Sequence, residues 1–272
     1  MIWKIATCMP INEENLSILS EIGIKGIEIP GSIQINPFKV PKEELKKLRD
    51  FTRSYEISIV ASNVIYPSNF SHTSEDEIIR KKSIEYTYKL AEAASEIECP
   101  ILVWGSGRAR RIPAEVSTEK GYERNLQVLK EAARAGKEFN IVFAIEPLPK
   151  FSTNFVNTIE EALKLVESVN SDFVKVMADV RHMIREEADV EESIRLAKDK
   201  IVHVHLADNN NKVPGRGIIN FSKLFKVFKE INYKGAMSIE AELGENPKEE
   251  LKFALETLKE AAKEVDNSST LI

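Results

Sequence analysis

The chain alternates short apolar runs with segments of helical periodicity along its 272 residues. The first run covers residues 3–8 and the last covers residues 235–240. Short apolar runs are typical of buried strands, and a 3.6-residue repeat of apolar positions is typical of helices. Their alternation predicts a parallel sheet with crossover helices, and eight units of about 30 residues each predict an α/β protein with a (β/α)8 TIM barrel.

An open, doubly wound sheet is the competing architecture, and it would carry a glycine-rich turn after the first strand. The sequence at that point reads Cys8-Met9-Pro10-Ile11, which is no such turn. Since internal repeats, linkers and low-complexity segments are also missing from the sequence, we expect residues 1–272 to form a single TIM-barrel domain. The polar residues near the end predict a frayed tail over about 266–272.

Local signals place several helix ends. Asn12 is a candidate N-cap and Gly23 a candidate C-terminal stop for the first helix. Pro41 is expected to open the second helix. Ser74, with Glu77 three residues later, has the pattern of a capping box at the start of a long third helix.

Composition excludes several classes of function. The chain has 38 Lys and Arg residues against 43 Asp and Glu, a net charge of -5, which argues against a nucleic-acid partner. Apolar runs are too short to span a membrane. The two cysteines, Cys8 and Cys99, exclude a disulfide scaffold and a cysteine-based zinc site, and they favour a reducing, cytoplasmic location.

Potential metal ligands stand at or near the ends of the last four predicted strands. They are Glu146, Asp179, His205 and Glu240, separated by about one βα unit each. A single acidic residue there is often a helix cap, but four successive strands are expected to bring these side chains to one mouth of the barrel. Three carboxylates and one imidazole favour Mn²⁺ most, with Mg²⁺, Co²⁺ or Zn²⁺ as alternatives.

Several segments resemble a known family. AIEPLP, MADVRHM, HVHLADNNNKVPGRGIINF and GAMSIEAE, together with Thr73-Ser74-Glu75-Asp76, are similar to the sugar isomerase and epimerase superfamily of xylose isomerase-like barrels. Within it, the ketose 3-epimerases are the most similar branch. The resemblance implies that one divalent ion is bound by four residues, Glu146, Asp179, His205 and Glu240.

The resemblance also implies a mechanism. The metal stabilises an enediolate, one of the two glutamates, Glu146 or Glu240, removes a proton from the substrate, and the other returns one on the opposite face. The expected substrate is a ketose or a related keto-sugar. An inosose-dehydratase-like lyase, a hydroxypyruvate isomerase and an aldose–ketose isomerase remain as alternatives, because they share the metal site. A homo-oligomer, dimer or tetramer, is implied as well.

An abasic-site endonuclease of the same superfamily requires several more histidines than the four in this chain, besides a basic groove. A barrel that only binds a ligand would have little use for two metal-held glutamates. We therefore favour an enzyme over both alternatives.

Five further residues are candidate substrate contacts: His182, Glu28, Trp104, Arg216 and Arg108. His182 completes the Asp-x-x-His pattern, for which the resemblance implies a substrate-contacting histidine. Glu28 and Trp104 end predicted strands, where the alternatives are a loop cap and a buried ring. His72 follows the third strand and lies either at the mouth or on the surface. His203 is expected to point away from His205 and to be a core or supporting residue.

The loops around the predicted site contain two departures from the family pattern. The resemblance implies an arginine six residues after the metal-binding histidine, but that position is Asn211, and Arg216 is no obvious replacement. The loop after strand four carries Arg108, Arg110 and Arg111 behind small residues. Such a loop could bind a phosphate or carboxylate, or it could be a solvated basic loop or a subunit contact.

Overall fold

The computed structural model describes residues 3–267, and within them eight parallel strands pair in sequence order. Pairing of the first strand with the eighth closes the sheet, which confirms the predicted (β/α)8 barrel. The strands are β1 (Ile5–Cys8), β2 (Gly26–Pro30), β3 (Ser58–Asn63), β4 (Ile101–Trp104), β5 (Val142–Ile145), β6 (Val174–Asp179), β7 (Ile201–Leu206) and β8 (Met237–Ile239).

Helices follow the strands around the outside of the barrel. They are α1 (Glu13–Ile22), α2 (Gly31–Gln34), α3 (Lys42–Ser54), α4 (Glu77–Glu96), α5 (Gly107–Arg110), α6 (Thr118–Phe139), α7 (Ile159–Val169), α8 (Val180–Glu186), α9 (Val190–Ala197), α10 (Phe221–Glu230) and α11 (Pro247–Asn267), with a 3₁₀ turn at Lys198–Lys200. The sequence reading did not predict α2, α5 and α8, because they are too short to show a periodic pattern. They lie in loops after β2, β4 and β6.

Most of the predicted helix signals act as expected. Asn12 caps α1 by accepting a hydrogen bond from the Asn15 backbone at 2.8 Å, and Gly23 ends it with φ = 79°. The predicted capping box at Ser74 is wrong: Asp76 caps α4, while the Ser74 hydroxyl accepts from the Asp76 backbone. Residues 266 and 267 of the expected tail continue α11, and residues 268–272 lie outside the described part of the chain.

Alternate residues of each strand face the helices and the barrel interior. On β2, Ile27 and Ile29 belong to the large core formed with the helices. Glu28 between them contacts histidines of β7, which is not a neighbour of β2, so its side chain crosses the interior. A small apolar cluster separate from the main core includes Ala6 and Met177.

Strand register determines which side chains meet at the mouth. Asp179 at the end of β6 lies beside His205 of β7, and His205 lies beside Ser238 of β8. Since all strands run in the same direction, their carboxyl ends surround one opening. In the described chain no helix has both the length and the apolar character needed to cross a membrane.

Candidate metal centre

The four predicted metal ligands meet at the carboxyl end of the barrel. Glu146, Asp179, His205 and Glu240 each offer a ligand atom, and these atoms all lie within 4.8 Å of one another. The Nδ1 atom of His205 is 3.1 Å from Oε2 of Glu240 and 3.6 Å from both Oε1 of Glu146 and Oδ2 of Asp179. The imidazole therefore faces three carboxylates.

The unsatisfied atoms of this cluster fit a cation. His205 Nδ1 and Asp179 Oδ2 are buried without a hydrogen-bond partner. Buried polar atoms are almost always paired, and an unpaired one is costly. A divalent ion among three carboxylates would satisfy both atoms and offset the repulsion between the acids. The donor set, three oxygens and one nitrogen, is a hard one that suits Mn²⁺ or Mg²⁺.

The two glutamates are oriented by the loops around them. Glu146 follows β5, and its backbone carbonyl accepts a hydrogen bond from the Arg110 guanidinium at 2.6 Å. Gly105, after β4, leaves room for the Glu146 carboxylate, because a Cβ at this position would lie 1.7 Å from Oε2. Glu240 follows β8, and its Oε1 accepts from Nδ2 of Asn63 at 2.9 Å.

Burial and charge set the protonation of the cluster. Burial raises the pKa of Glu240, and the nearby carboxylates add to the rise in spite of His205. Burial opposes ionisation of Asp179 too, but His182, His205 and Arg181 outweigh it and hold the pKa of Asp179 below its ordinary value. The surroundings therefore favour the ionised form of Asp179 and disfavour that of Glu240.

Two basic side chains from the start of α8 border the cluster. Nδ1 of His182 lies 3.5 Å from both Oε1 of Glu146 and Oδ2 of Asp179, so the structure brings this predicted residue to the site. The sequence reading missed Arg181, whose Nη2 is 2.9 Å from Nε2 of His182 and 3.5 Å from Oε2 of Glu240. The same guanidinium donates to Asn211, the position where an arginine was expected.

Cys8 is a second residue that the sequence reading did not assign to the site. Its sulfur lies within 4.8 Å of ligand atoms of His205 and Glu240. Burial, with the negative charges of Glu28 and Glu240, raises the pKa of Cys8 well above its ordinary value. The residue therefore contributes a neutral thiol at the end of β1.

The position of His203 corrects one expectation. His203 and His205 both lie next to Glu28, with Nε2 atoms 2.6 and 2.9 Å from its two oxygens. His203 is buried as expected, but it does not point away from His205, because residues two apart in a strand share a face. Glu28 has no exposed surface and both oxygens are engaged, so it is not placed to meet a sugar hydroxyl.

The aromatic residues on the other side of the mouth are part of the core. Trp104 is 1% exposed, and its ring stacks on His72 with centroids 5.6 Å apart, so it is buried and does not line the mouth. His72 is equally buried and hydrogen-bonds Asn125 at 3.2 Å, neither at the mouth nor on the surface. Burial lowers the pKa of His72 to about 3, which keeps its imidazole neutral.

Most of the predicted arginine contacts are structural. Arg216 pairs with Glu250 at 2.9 Å and covers the ring of Phe253, so it does not reach the cluster. Arg110 is fully buried and donates to backbone carbonyls, and Arg111 donates to the carbonyls of Phe151 and Ser152. Arg108 is exposed and lines a cavity of about 430 Å³ with Ser106, Tyr66 and other residues.

The fold and the site together define a class: a (β/α)8 barrel with three carboxylates and an imidazole, all potential metal ligands, at its carboxyl mouth. Residues 16–261 match the xylose isomerase-like TIM barrel family, and the chain belongs to that family. This agrees with the resemblance found in the sequence.

Several relatives of the chain are named as sugar epimerases. A D-psicose 3-epimerase of Enterocloster bolteae is 27% identical over 82% of this chain and 74% of its own. A 3-dehydro-D-guloside 4-epimerase of Escherichia coli is 24% identical over 90% of this chain and 93% of its own. A solved structure of an L-ribulose 3-epimerase superposes with a TM-score of 0.84 at 20% identity, covering 97% of each chain. These names support an enzyme of the epimerase and isomerase class.

Proposed function

We propose that the protein is a divalent-metal-dependent epimerase of a ketose or a related keto-sugar. The observation that carries the proposal is the convergence of Glu146 and Glu240 with Asp179 and His205 within 4.8 Å. Stereochemical inversion needs one group to remove a proton and another to return it from the opposite face, and two separately oriented carboxylates can do both.

A bound divalent ion would supply Lewis-acid stabilisation of the enediolate, worth several kcal/mol. The chain's own residues move the protons. Either Glu146 or Glu240 takes the proton next to the carbonyl, according to the handedness of the substrate, and the other glutamate returns one. Burial raises the pKa of Glu240, which suits a group that must hold a proton during turnover. We assign to His182 the donation of a hydrogen bond to a substrate hydroxyl, and its position beside both Glu146 and Asp179 supports this role.

The identity of the metal ion is proposed from the chemistry of its ligands, and the kind of substrate from the names of the relatives. Mn²⁺ is the ion we favour, because the donor set is rich in oxygen and contains one imidazole. The relatives act on sugars, as their names state, so a small carbohydrate is the proposed partner. Arg108 remains a proposed contact for a distal or anionic part of the substrate. A homo-oligomer and a cytoplasmic location remain predictions.

The reaction can be tested by locating the exchanged proton. The protein is stripped of metal, reloaded with Mn²⁺, and incubated in D₂O with a panel of free and phosphorylated ketoses and inososes, followed by NMR. We expect deuterium at one carbon next to the carbonyl, with its configuration inverted. The Mn²⁺-loaded Glu146→Gln variant is the matched control and should form no inverted product, because inversion needs both glutamates.

The same spectra separate the alternatives. Deuterium at a carbon that changes between carbonyl and hydroxyl would identify an aldose–ketose or hydroxypyruvate isomerase, and loss of water with a new absorbing product would identify a lyase. Lack of exchange in every substrate, with Mn²⁺ bound, would overturn the proposal. A preference for phosphorylated sugars would support a role of Arg108, and no preference would remove it.

A further inference from the structure

A fully buried carboxylate lies directly behind the metal cluster. Glu28 of β2 crosses the barrel interior, where Oε1 is 2.9 Å from Nε2 of His205 and Oε2 is 2.6 Å from Nε2 of His203. All three side chains have essentially no exposure to solvent. The contact joins strands that are not neighbours, and the other ring nitrogen of His205 faces the proposed metal ligands.

The contact determines which nitrogen of His205 is available. A carboxylate held as an anion only accepts hydrogen bonds, so each imidazole must present an N–H at Nε2. A neutral His205 with Nε2 protonated has its lone pair on Nδ1. That atom is buried, has no hydrogen-bond partner, and faces Glu146, Asp179 and Glu240. The carboxylate and the metal site thus use opposite edges of the same ring.

We propose that Glu28 is a positioning residue of the metal centre, whose carboxylate holds His205 in the Nε2–H tautomer and leaves Nδ1 as the ligand atom. The proposal rests on the proposed function, because it takes the cluster to be a metal site. It gives Glu28 a role other than the sugar contact expected from the sequence. Partners of this kind fix the ring orientation of a metal-binding histidine and raise its basicity.

The second histidine explains why a carboxylate is needed. Glu28 accepts from two imidazoles with its two oxygens, whereas the amide of a glutamine would have one acceptor and one donor. The same Nε2 atom of His203 also lies 3.2 Å from the Ser238 hydroxyl of β8. In a Glu28→Gln variant the amide oxygen can accept a hydrogen bond from only one of the two imidazoles, and the amide nitrogen cannot accept one from the other. The negative charge behind His205 is lost in either orientation of the amide.

Metal affinity tests the proposal without turnover. Free Mn²⁺ is titrated against wild type, Glu28→Gln and His203→Gln, and the unbound ion is followed by electron paramagnetic resonance. We expect Glu28→Gln to bind Mn²⁺ about 10- to 100-fold more weakly. His203→Gln is the matched control, because it changes an equally buried partner of Glu28 but leaves the bond to His205, and we expect less than about a threefold change by the same reasoning.

The tautomer provides a second readout that needs no variant. In ¹⁵N-histidine-labelled protein loaded with Mg²⁺, long-range ¹H–¹⁵N spectra should show His205 protonated at Nε2 and not at Nδ1. A proton on Nδ1 would overturn the proposal. So would equal Mn²⁺ affinity of wild type and Glu28→Gln, or an equal loss in both variants, which would reflect packing alone. If wild type binds no metal, the proposed function fails instead.

Discussion

The two sides of the barrel mouth use polar residues in different ways. Glu146 and Glu240 follow β5 and β8, Asp179 ends β6 and His205 lies within β7, and these four side chains converge on one point. Near the ends of β3 and β4, the rings of His72 and Trp104 stack on each other. The Arg110 guanidinium there donates hydrogen bonds to backbone carbonyls, including that of Trp104. A polar or aromatic residue at a strand end therefore belongs to the candidate functional site only where several such side chains converge on one point.

The largest effect is expected from the converging side. Glu146→Gln and Glu240→Gln keep the shape of the side chain but remove its ability to take a proton, so each should lower kcat by on the order of 10³-fold or more. Steady-state rates with the sugar identified by deuterium exchange would measure this loss. Circular dichroism would confirm that the variants fold. Near-normal turnover in either variant would remove that glutamate from the acid–base pair.

The sequence predicted the converging side well, because its signal is repetitive. Four ligand-type residues recur at intervals of one βα unit, and parallel strands of a barrel must bring their carboxyl ends together. Arg181 was missed because α8, the short helix that carries it, has no periodicity of its own. Arg181 could have been found from its position inside the Asp-x-x-His pattern, directly before His182.

The sequence was less informative about the other side, where tertiary packing decides the outcome. Trp104 ends a strand, and the proposed metal ligands lie at or near strand ends too, yet the Trp104 ring packs against His72 and Arg110. No local pattern indicates whether a strand-end side chain turns toward the mouth or into the core. The role of Glu28 likewise depends on a contact across the barrel, 175 residues away in sequence from His203.

A second prediction addresses the point where the two sides touch. Gly105→Ala adds a methyl group 1.7 Å from the present position of Glu146 Oε2, so the carboxylate must move. The moving part is the end of a flexible side chain, so stability should change little. Misplacement of a reacting group by about 1 Å can cost on the order of 10²-fold in rate. Steady-state kinetics of Gly105→Ala should therefore show a large loss of rate, while thermal unfolding should show little change of stability.

A fitting control is Gly23→Ala, which lies at positive φ away from the mouth with nothing within 4 Å of an added Cβ. That variant should lose stability, because alanine is strained in the left-handed region, and should keep its rate at temperatures where it is folded. Equal activity of Gly105→Ala and wild type would show that Glu146 does not need its present position.

The third prediction concerns stability on the packed side. His72 has a pKa of about 3 in the folded protein, against about 6.5 in an unfolded chain. Below pH 6.5 the His72 imidazole takes up a proton in the unfolded state but stays neutral in the folded state. The contribution of His72 to the free energy of unfolding is therefore lost as the pH falls toward 3. Between pH 6.5 and 5 the loss amounts to about 2 kcal/mol.

The variant His72→Phe keeps a ring between Trp104 and Tyr66 but cannot take up the proton. The unfolding free energies of wild type and variant are measured with urea at several pH values. In their difference, the pH dependence due to the titratable groups that both proteins share cancels. We expect the difference in unfolding free energy to shift in favour of the variant by about 2 kcal/mol from pH 6.5 to pH 5. A constant difference would mean that His72 is accessible to protons, as a residue of the open mouth would be.

The smallest effect is expected at Arg216, a predicted substrate contact that the structure places elsewhere. Its guanidinium is held by Glu250 and lies 3.9 Å from the centre of the Phe253 ring, and its side chain is 44% exposed. Because such exposed pairs contribute little, Arg216→Ala should cost at most about 1 kcal/mol of stability. Turnover and KM for the sugar should change less than about twofold, since surface changes away from a site are usually nearly neutral. A tenfold rise in KM with unchanged stability would instead require the loop after β7 to fold over the bound sugar and bring Arg216 to it.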